Sequence, residues 1–169
     1  SGGFSLYAAR GGAKSVTDLD ISTHALPAAE RNFTINNREP QVPRCRHEVL
    51  QSDAFVWLEG NTGRKFDLIV LDPPSFTRNR AAVPDALRGY KEIHLRALKL
   101  LKPDGILATF CCSHHVAAPL FEEVILAAAF DARRLLRRVA TFGQSPDHPV
   151  IPAIPETEYL KGFAFEIAR

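Results

Sequence analysis

The chain contains no methionine, a single tryptophan and only three cysteines, Cys45, Cys111 and Cys112. An odd thiol count with two cysteines adjacent does not make a disulfide framework. It points to a reducing compartment, the cytoplasm, and leaves a thiol free for chemistry. No apolar run approaches the roughly 18 residues that a membrane-spanning helix needs, so no membrane partner is expected. No basic-then-apolar leader opens the chain. Nor is there an excess of charge of one sign. Lys and Arg number 21 and Asp and Glu 19, a formal charge of +2, which neither demands a polyanionic partner nor excludes a local basic patch. Hydrophobic residues are 46% and charged residues 24% of the 169, a balance that excludes wholesale disorder. With no starting methionine and a glycine pair at positions 2 and 3, the chain reads as a piece of a longer protein.

What is present is an alternation of short apolar runs and longer amphipathic stretches, without internal repeats. Residues 4–10 read as a short helix closed by Gly11-Gly12. Residues 15–19 form a strand ending in Asp20. Residues 23–36 form a helix capped by Ser22, residues 45–51 a strand ending at Asp53, and residues 54–59 a short helix. Residues 66–71 are the clearest strand, with the continuous apolar character of one buried on both faces. It stops at Asp72-Pro73-Pro74, because prolines cannot continue a ladder. Residues 77–84 read as a mobile loop and residues 85–101 as a helix, with Leu87, Tyr90, Ile93, Leu95, Leu98 and Leu101 near helical spacing. Pro103-Asp104-Gly105 reads as a turn, residues 106–111 as a buried strand and residues 116–130 as a helix. Residues 133–142 and 159–167 are two late strands joined by a proline-rich loop. Such alternation predicts one α/β domain over residues 1–169, with a mostly parallel sheet.

In parallel sheets ligands gather at the carboxyl ends of the strands. Four predicted strands end in polar groups there: Asp20, Asp53, Asp72 and Cys112-Ser113. Gly2-Gly3 ahead of a helix would let a ligand approach the backbone, or would serve as a plain turn. Asp20 could accept the hydroxyls of a ribose, or cap the next helix, a task open to Asp18 or Ser22 as well. Asp53 could accept from an adenine amino group, or cap the helix from residue 54. Asp72-Pro73-Pro74-Ser75-Phe76 combines an acid, two rigid residues and a ring able to stack on a flat partner. Strand alternation sends Cys111 and Cys112 to opposite sides, so one thiol faces the site and the other the core. Cys112-Ser113-His114-His115 is too compact to close a tetrahedral metal site, and Cys45 reads as a buried hydrophobe. Arg133, Arg134, Arg137 and Arg138 form either a phosphate-contacting edge or a solvated face. Arg78, Arg80 and Arg88 could add a basic rim around the 77–84 loop.

Gly2-Gly3-Phe4-Ser5, Asp20, Asp53, Asp72-Pro73-Pro74-Ser75-Phe76 and Cys112-Ser113, in this order, resemble a class I S-adenosylmethionine-dependent methyltransferase. The segments Asp147-His148-Pro149-Val150, Pro155-Glu156-Thr157 and Tyr159-Leu160-Lys161-Gly162-Phe163 extend the resemblance to bacterial enzymes that methylate carbon 5 of cytosine in 23S ribosomal RNA. That resemblance implies a Rossmann-like sheet with a C-terminal antiparallel strand. It also implies a first strand ahead of Ser1, without which two neighbouring strands would be unpaired, and an RNA-binding domain further upstream. S-adenosyl-L-methionine would be the cofactor, with Gly2, Gly3 and Phe4 near its methionine part, Asp20 at the ribose and Asp53 at the adenine. Asp72 would lie between cofactor and target base, with Pro73, Pro74 and Phe76 on the substrate side and Cys112 as the nucleophile. Ribosomal RNA, and a second copy of the chain, are the partners this implies. Pro74-Ser75 departs from the pattern, since many RNA cytosine-5 methyltransferases carry a second cysteine directly after Asp-Pro. Two other readings compete. A methyltransferase acting on an exocyclic amine, such as guanine N2, would use the Asp-Pro-Pro-aromatic loop without a thiol. A noncatalytic RNA- or cofactor-binding module would need neither.

Overall fold

The computed structural model describes residues 1–77 and 79–168. The chain divides into two compact units, Ser1–Gly60 and Asn61–Arg169.

In the first unit, Gly2 adopts the left-handed conformation (φ 71°) and helix α1 (Gly3–Arg10) starts directly after it. Gly11 closes α1 by donating its N–H to the Tyr7 carbonyl at 2.9 Å. Strand β1 (Ser15–Asp20), helix α2 (Ala25–Ile35), strand β2 (Arg46–Gln51) and helix α3 (Ala54–Gly60) follow. β1 and β2 pair in parallel, with Asp20 opposite Gln51. The core packs Ala9 of α1 against Phe33, Val42 and Cys45, and burial pushes the Cys45 thiol above its ordinary pKa. α2 starts at Ala25 rather than at residue 23, with His24 in the N-cap position, and Ser22 holds the turn before it, its Oγ accepting from the N–H groups of His24 and Ala25, both at 3.3 Å.

The second unit holds strand β3 (Phe66–Leu71), helix α4 (Val83–Leu100), strand β4 (Leu101–Cys111), helix α5 (Ala118–Asp131), strand β5 (Leu135–Phe142) and strand β6 (Lys161–Ala168). Its sheet has the order β3-β4-β6-β5. β3 and β4 are parallel, while β6 runs antiparallel between β4 and β5. The fold class is therefore the expected α/β one, closed by an antiparallel C-terminal strand. The strands fall into two sheets, one in each unit.

Three readings need correction. β3 is not buried on both faces: Leu68 is 44% exposed, because within its sheet β3 is an edge strand with β4 on one side only. Residues 103–105 do not separate a helix from a strand. They lie inside β4, where Asp104 takes a left-handed φ of 61° and the register with β3 shifts between Phe66 and Leu68. Residues 80–84 are ordered into a 3-10 turn (Arg80–Ala82) and the start of α4. Of the two readings of the arginine cluster, the solvated face agrees better with the ion pairs. Arg137 pairs with Glu166 across β5 and β6, Arg138 binds both carboxylate oxygens of Glu122 at 2.9 and 3.0 Å, and Arg134 donates to the Leu101 carbonyl. Of the proposed basic rim, Arg88 pairs with Asp85 and Arg78 lies outside the described residues.

The core of the second unit centres on Phe121 of α5. Its ring contacts Tyr90 (5.3 Å), His94 (5.6 Å) and Phe163 (6.1 Å). His94 replaces an apolar residue on the buried face of α4. It is fully buried, its Nδ1–H donating to the Tyr90 carbonyl (2.6 Å) and its Nε2 accepting from the Thr109 hydroxyl (2.8 Å). Both bonds suit the neutral imidazole, and burial pushes its pKa down to about 4. Below about pH 6.5 the unfolded chain takes up a proton that the folded chain refuses. Stability is therefore expected to fall from pH 6.5 down to pH 4, by roughly 3 kcal/mol in all. Urea unfolding at pH 7.5 and 4.5 measures this. The His94→Gln variant should show a clearly flatter dependence than the wild type, and equal slopes would remove His94 as the cause.

Candidate functional site

The first unit carries the glycine turn and two strand-end acids. A Cβ on Gly2 would stand 2.7 Å from Ala29 Cβ and 2.9 Å from Asp18 Oδ2. With the left-handed φ, this makes glycine the residue that fits there. Nothing lies within 4 Å of the corresponding position at Gly3, so the turn is open on that side, and Phe4 beside it is 52% exposed. A small cleft is lined by Gly2, Asp18, Asp20, Leu26 and Ala29. The parallel pairing brings the two acids to neighbouring strand ends, where the Ser52 N–H donates to the Asp20 carbonyl at 3.1 Å. Both acids also hold local turns. Asp20 Oδ1 accepts from the Ser22 N–H (2.8 Å), and Asp53 Oδ1 accepts from the Val56 N–H (3.0 Å) at the start of α3. Among the described residues, the other carboxylate oxygen of each accepts no such bond.

Asp18 is not a cap. Its Oδ1 accepts from Ser5 Oγ at 2.7 Å and its Oδ2 from His47 Nε2 at 2.9 Å, while Phe33 stacks on the His47 ring at 3.7 Å. This carboxylate ties the first turn of α1 to β1 and β2, and so supports the glycine turn from below. Residues 5, 18 and 47 show no common periodicity, which is why sequence reading passed over the set.

The second unit carries the acid-proline loop and the thiol. Leu71 of β3 stands opposite Thr109 of the parallel strand β4, so the chain segments after both strands leave the same edge of the sheet. One carries Asp72, the other Cys112. Cys111 is fully buried, its thiol donating to the Tyr90 hydroxyl oxygen at 3.4 Å, whereas Cys112 is half-buried. Burial also pushes the Tyr90 phenol well above its ordinary pKa. Asp72 is reached by solvent, but desolvation still pushes its carboxyl above the usual range. The protein crowds one side of the group while water reaches the other.

Pro73 is half-buried and Pro74 exposed. Phe76 is half-buried as well, its ring 4.6 Å from that of Tyr90. Gly89 of α4 lets the ring in, since a Cβ there would stand 3.3 Å from Phe76 Cδ2. One side of Phe76 thus belongs to the core of the unit. Two groups that sequence reading missed adjoin Cys112. The Thr77 hydroxyl is hydrogen-bonded to Ser113 Oγ, and the Lys161 ammonium donates to the Ser113 carbonyl and, at 2.7 Å, to that of Tyr159. Burial pushes the Lys161 ammonium below its ordinary pKa, a shift that charge on Cys111, Cys112 and Glu158 opposes. Among the described residues no group of three or more His, Cys, Asp or Glu side chains is placed to hold a metal ion, and no helix is long and apolar enough to cross a membrane.

Residues 1–159 match the family model described as S-adenosylmethionine-dependent methyltransferase. The chain is 42% identical over 169 residues to the ribosomal RNA large subunit methyltransferase I of Vibrio parahaemolyticus, covering 99% of this chain and 42% of that protein. It is 41% identical to the Klebsiella pneumoniae protein of the same name, covering 99% of this chain and 41% of that one. The chain thus spans about two fifths of the length of these relatives. Among solved structures, a Streptococcus mutans protein reported as a candidate S-adenosylmethionine-dependent methyltransferase superposes with a TM-score of 0.79 at 20% identity, over 97% of this chain and 41% of that one. NSun6 from Pyrococcus horikoshii, solved with SFG, gives 0.62 at 17% identity, over 92% and 42%.

The residues of the first unit fit such a cofactor. The turn is closed to any side chain at Gly2 and open at Gly3, it starts a helix that has no side-chain cap at its N-terminus, and an exposed acid, Asp20, lines the adjoining cleft. By sequence match and by fold, this chain belongs to the S-adenosylmethionine-dependent methyltransferase family.

Proposed function

We propose that the protein methylates carbon 5 of a cytosine in large-subunit ribosomal RNA, with Cys112 as the attacking nucleophile. The observation that carries this reading is the shared exit of the Asp72 loop and the Cys112 turn from the parallel pair β3 and β4. It sets a solvent-accessible thiol and a partly desolvated acid at one sheet edge. The named relatives, at 41–42% identity, support RNA as the substrate.

Bound S-adenosyl-L-methionine would supply an electrophilic methyl group. Gly2, Gly3 and Phe4 would hold its amino-acid part, Asp20 its ribose and Asp53 its adenine. Carbon 5 of cytosine is a poor nucleophile. The Cys112 thiolate adds to carbon 6, forming an S–C bond and making carbon 5 enamine-like. Asp72, whose carboxyl desolvation pushes above its ordinary pKa, would bind the N3 edge and steady the protonated adduct. After carbon 5 is alkylated, a base removes its hydrogen, the S–C bond breaks and the thiolate leaves. The base must be unstacked from its RNA neighbours to be reached. Pro73 and Pro74 keep the loop rigid, and the half-buried ring of Phe76 would be the stacking partner of the target base. Pro74-Ser75 stands where related chemistry uses a second cysteine, so either water or another group assists release or the chemistry differs at this step.

The test is to incubate the full-length protein with unmodified large-subunit RNA and isotopically labelled S-adenosyl-L-methionine, and to identify the labelled nucleoside by mass spectrometry. We expect 5-methylcytidine. A label on guanine N2 would establish the amine-directed reading instead, and cofactor binding without any labelled nucleoside would favour a noncatalytic module.

A further inference from the structure

We propose that Ser113 is a positioning junction, through which Lys161 and Thr77 hold Cys112 in a fixed setting relative to the Asp72 loop. The inference deepens the proposed reaction and rests on Cys112 being its nucleophile. Ser113 follows Cys112 directly and is 2% exposed. Both of its polar oxygens accept local bonds, the hydroxyl from the His115 N–H and the carbonyl from the Val116 N–H (each 3.4 Å), and both are also bonded to distant segments. Its hydroxyl is joined to Thr77, itself 7% exposed, 36 residues away. Its carbonyl accepts from Lys161, 48 residues away at the start of β6.

Each arm is anchored at its far end. Thr77 sits at the close of the acid-proline loop, where the Ser75 hydroxyl donates to the Thr77 carbonyl (2.9 Å) and accepts from the Thr77 N–H (3.3 Å). Five residues after Asp72, the loop is thus stapled to the residue after the thiol. Lys161 stands opposite Cys111 across the antiparallel β4 and β6 pair, and its second bond, to the Tyr159 carbonyl, fixes the entry into β6. The charged and titratable groups around this ammonium are Cys111 and Cys112 on β4 and the turn after it, and Glu158 just before β6. Among the described residues no carboxylate forms an ion pair with Lys161. An ammonium half-removed from water and spent on two carbonyls is a costly way to brace a surface turn. The arrangement makes sense where the braced atom must not drift, because a misplacement of about 1 Å at a nucleophile can cost on the order of 100-fold in rate.

A merely structural bond would affect stability alone, so the test is a split between kcat and KM. In the full-length enzyme, Thr77→Val and Lys161→Met should each lower kcat for methyl transfer by about 10- to 100-fold, with KM for S-adenosyl-L-methionine within about threefold of wild type. Thr77→Ser, which restores the hydroxyl, and Lys161→Arg, which restores the cation, should recover most of the rate. Thr77→Val combined with Ser113→Ala should be no slower than the slower single variant, since both remove the same bond. If Lys161→Met does not fold, the Thr77 pair decides the matter alone. A kcat within threefold of wild type in Thr77→Val, or equal losses in Thr77→Val and Thr77→Ser, would overturn the proposal. The identity of the methylated nucleoside is read from the wild type only, so failure of the cytosine reading and failure of the junction are separate results.

Discussion

Replacing Cys112 with serine is expected to lower methyl transfer by on the order of 10³-fold or more, while S-adenosyl-L-methionine binding stays within about threefold. A hydroxyl at this place keeps nearly the same volume but gives almost none of the anion at neutral pH. Carbon 6 would then meet a poor nucleophile, and carbon 5 would stay unactivated. Cofactor binding should survive because the residues proposed to hold the cofactor are the glycine turn, Asp20 and Asp53, and Cys112 is not one of them. The neighbouring thiol supplies the control. Cys111 is fully buried and bonded to Tyr90, so Cys111→Ser should act on stability and leave the mechanism unchanged. Labelled-methyl incorporation into large-subunit RNA gives the rate, and calorimetric titration gives the affinity. Full activity in Cys112→Ser would exclude the covalent route and leave the exocyclic-amine chemistry standing.

The largest effect on stability is expected at Phe121. Its side chain is fully buried and its ring meets Tyr90, His94 and Phe163, which come from α4 and β6. Truncation to alanine removes the apolar burial and leaves a cavity among three rings that cannot all move inward. The cost should be about 3–5 kcal/mol, a fall in Tm of roughly 10 °C for a chain of this length. Phe130, on the same helix, is 83% exposed, and Phe130→Ala should change stability by no more than about 0.5 kcal/mol. Thermal unfolding followed by circular dichroism compares them directly. Similar losses in the two variants would mean that Phe121 is not the centre of this core.

Much of the local structure is legible in the residues. The strand over 66–71 is found with the expected limits, because an apolar run bounded by two prolines has few other conformations open to it. Strand alternation separates the two thiols as found in burial, Cys111 fully buried at the end of β4 and Cys112, just after it, half-buried. The helical spacing of Tyr90, Ile93 and Leu98 picks out the buried face of α4. His94 on that same face was not legible, because a polar residue in an apolar stripe looks like a break until Thr109, 15 residues on, supplies its partner. The choice between a phosphate edge and a solvated face for the arginines of 133–138 was open for the same reason. Glu122 and Glu166, which neutralise Arg138 and Arg137, lie 16 and 29 residues away.

The sequence by itself determined the order of elements, the glycine turn, the acids at the strand ends, the separation of the two adjacent thiols and the family resemblance. All of these rest on spacing within a few residues or on motifs that survive as strings. Only the tertiary structure decided which oxygen each polar side chain uses. It assigned Asp18 to Ser5 and His47, bound Asp53 to the first turn of α3, set Phe76 against Tyr90, and joined Thr77 and Lys161 at Ser113. The physical reason is that local conformation is governed by backbone sterics and periodic burial, whose signals are short-ranged. A hydrogen bond between residues 36 or 48 apart exists only once strands and helices have packed and brought the donor to the acceptor.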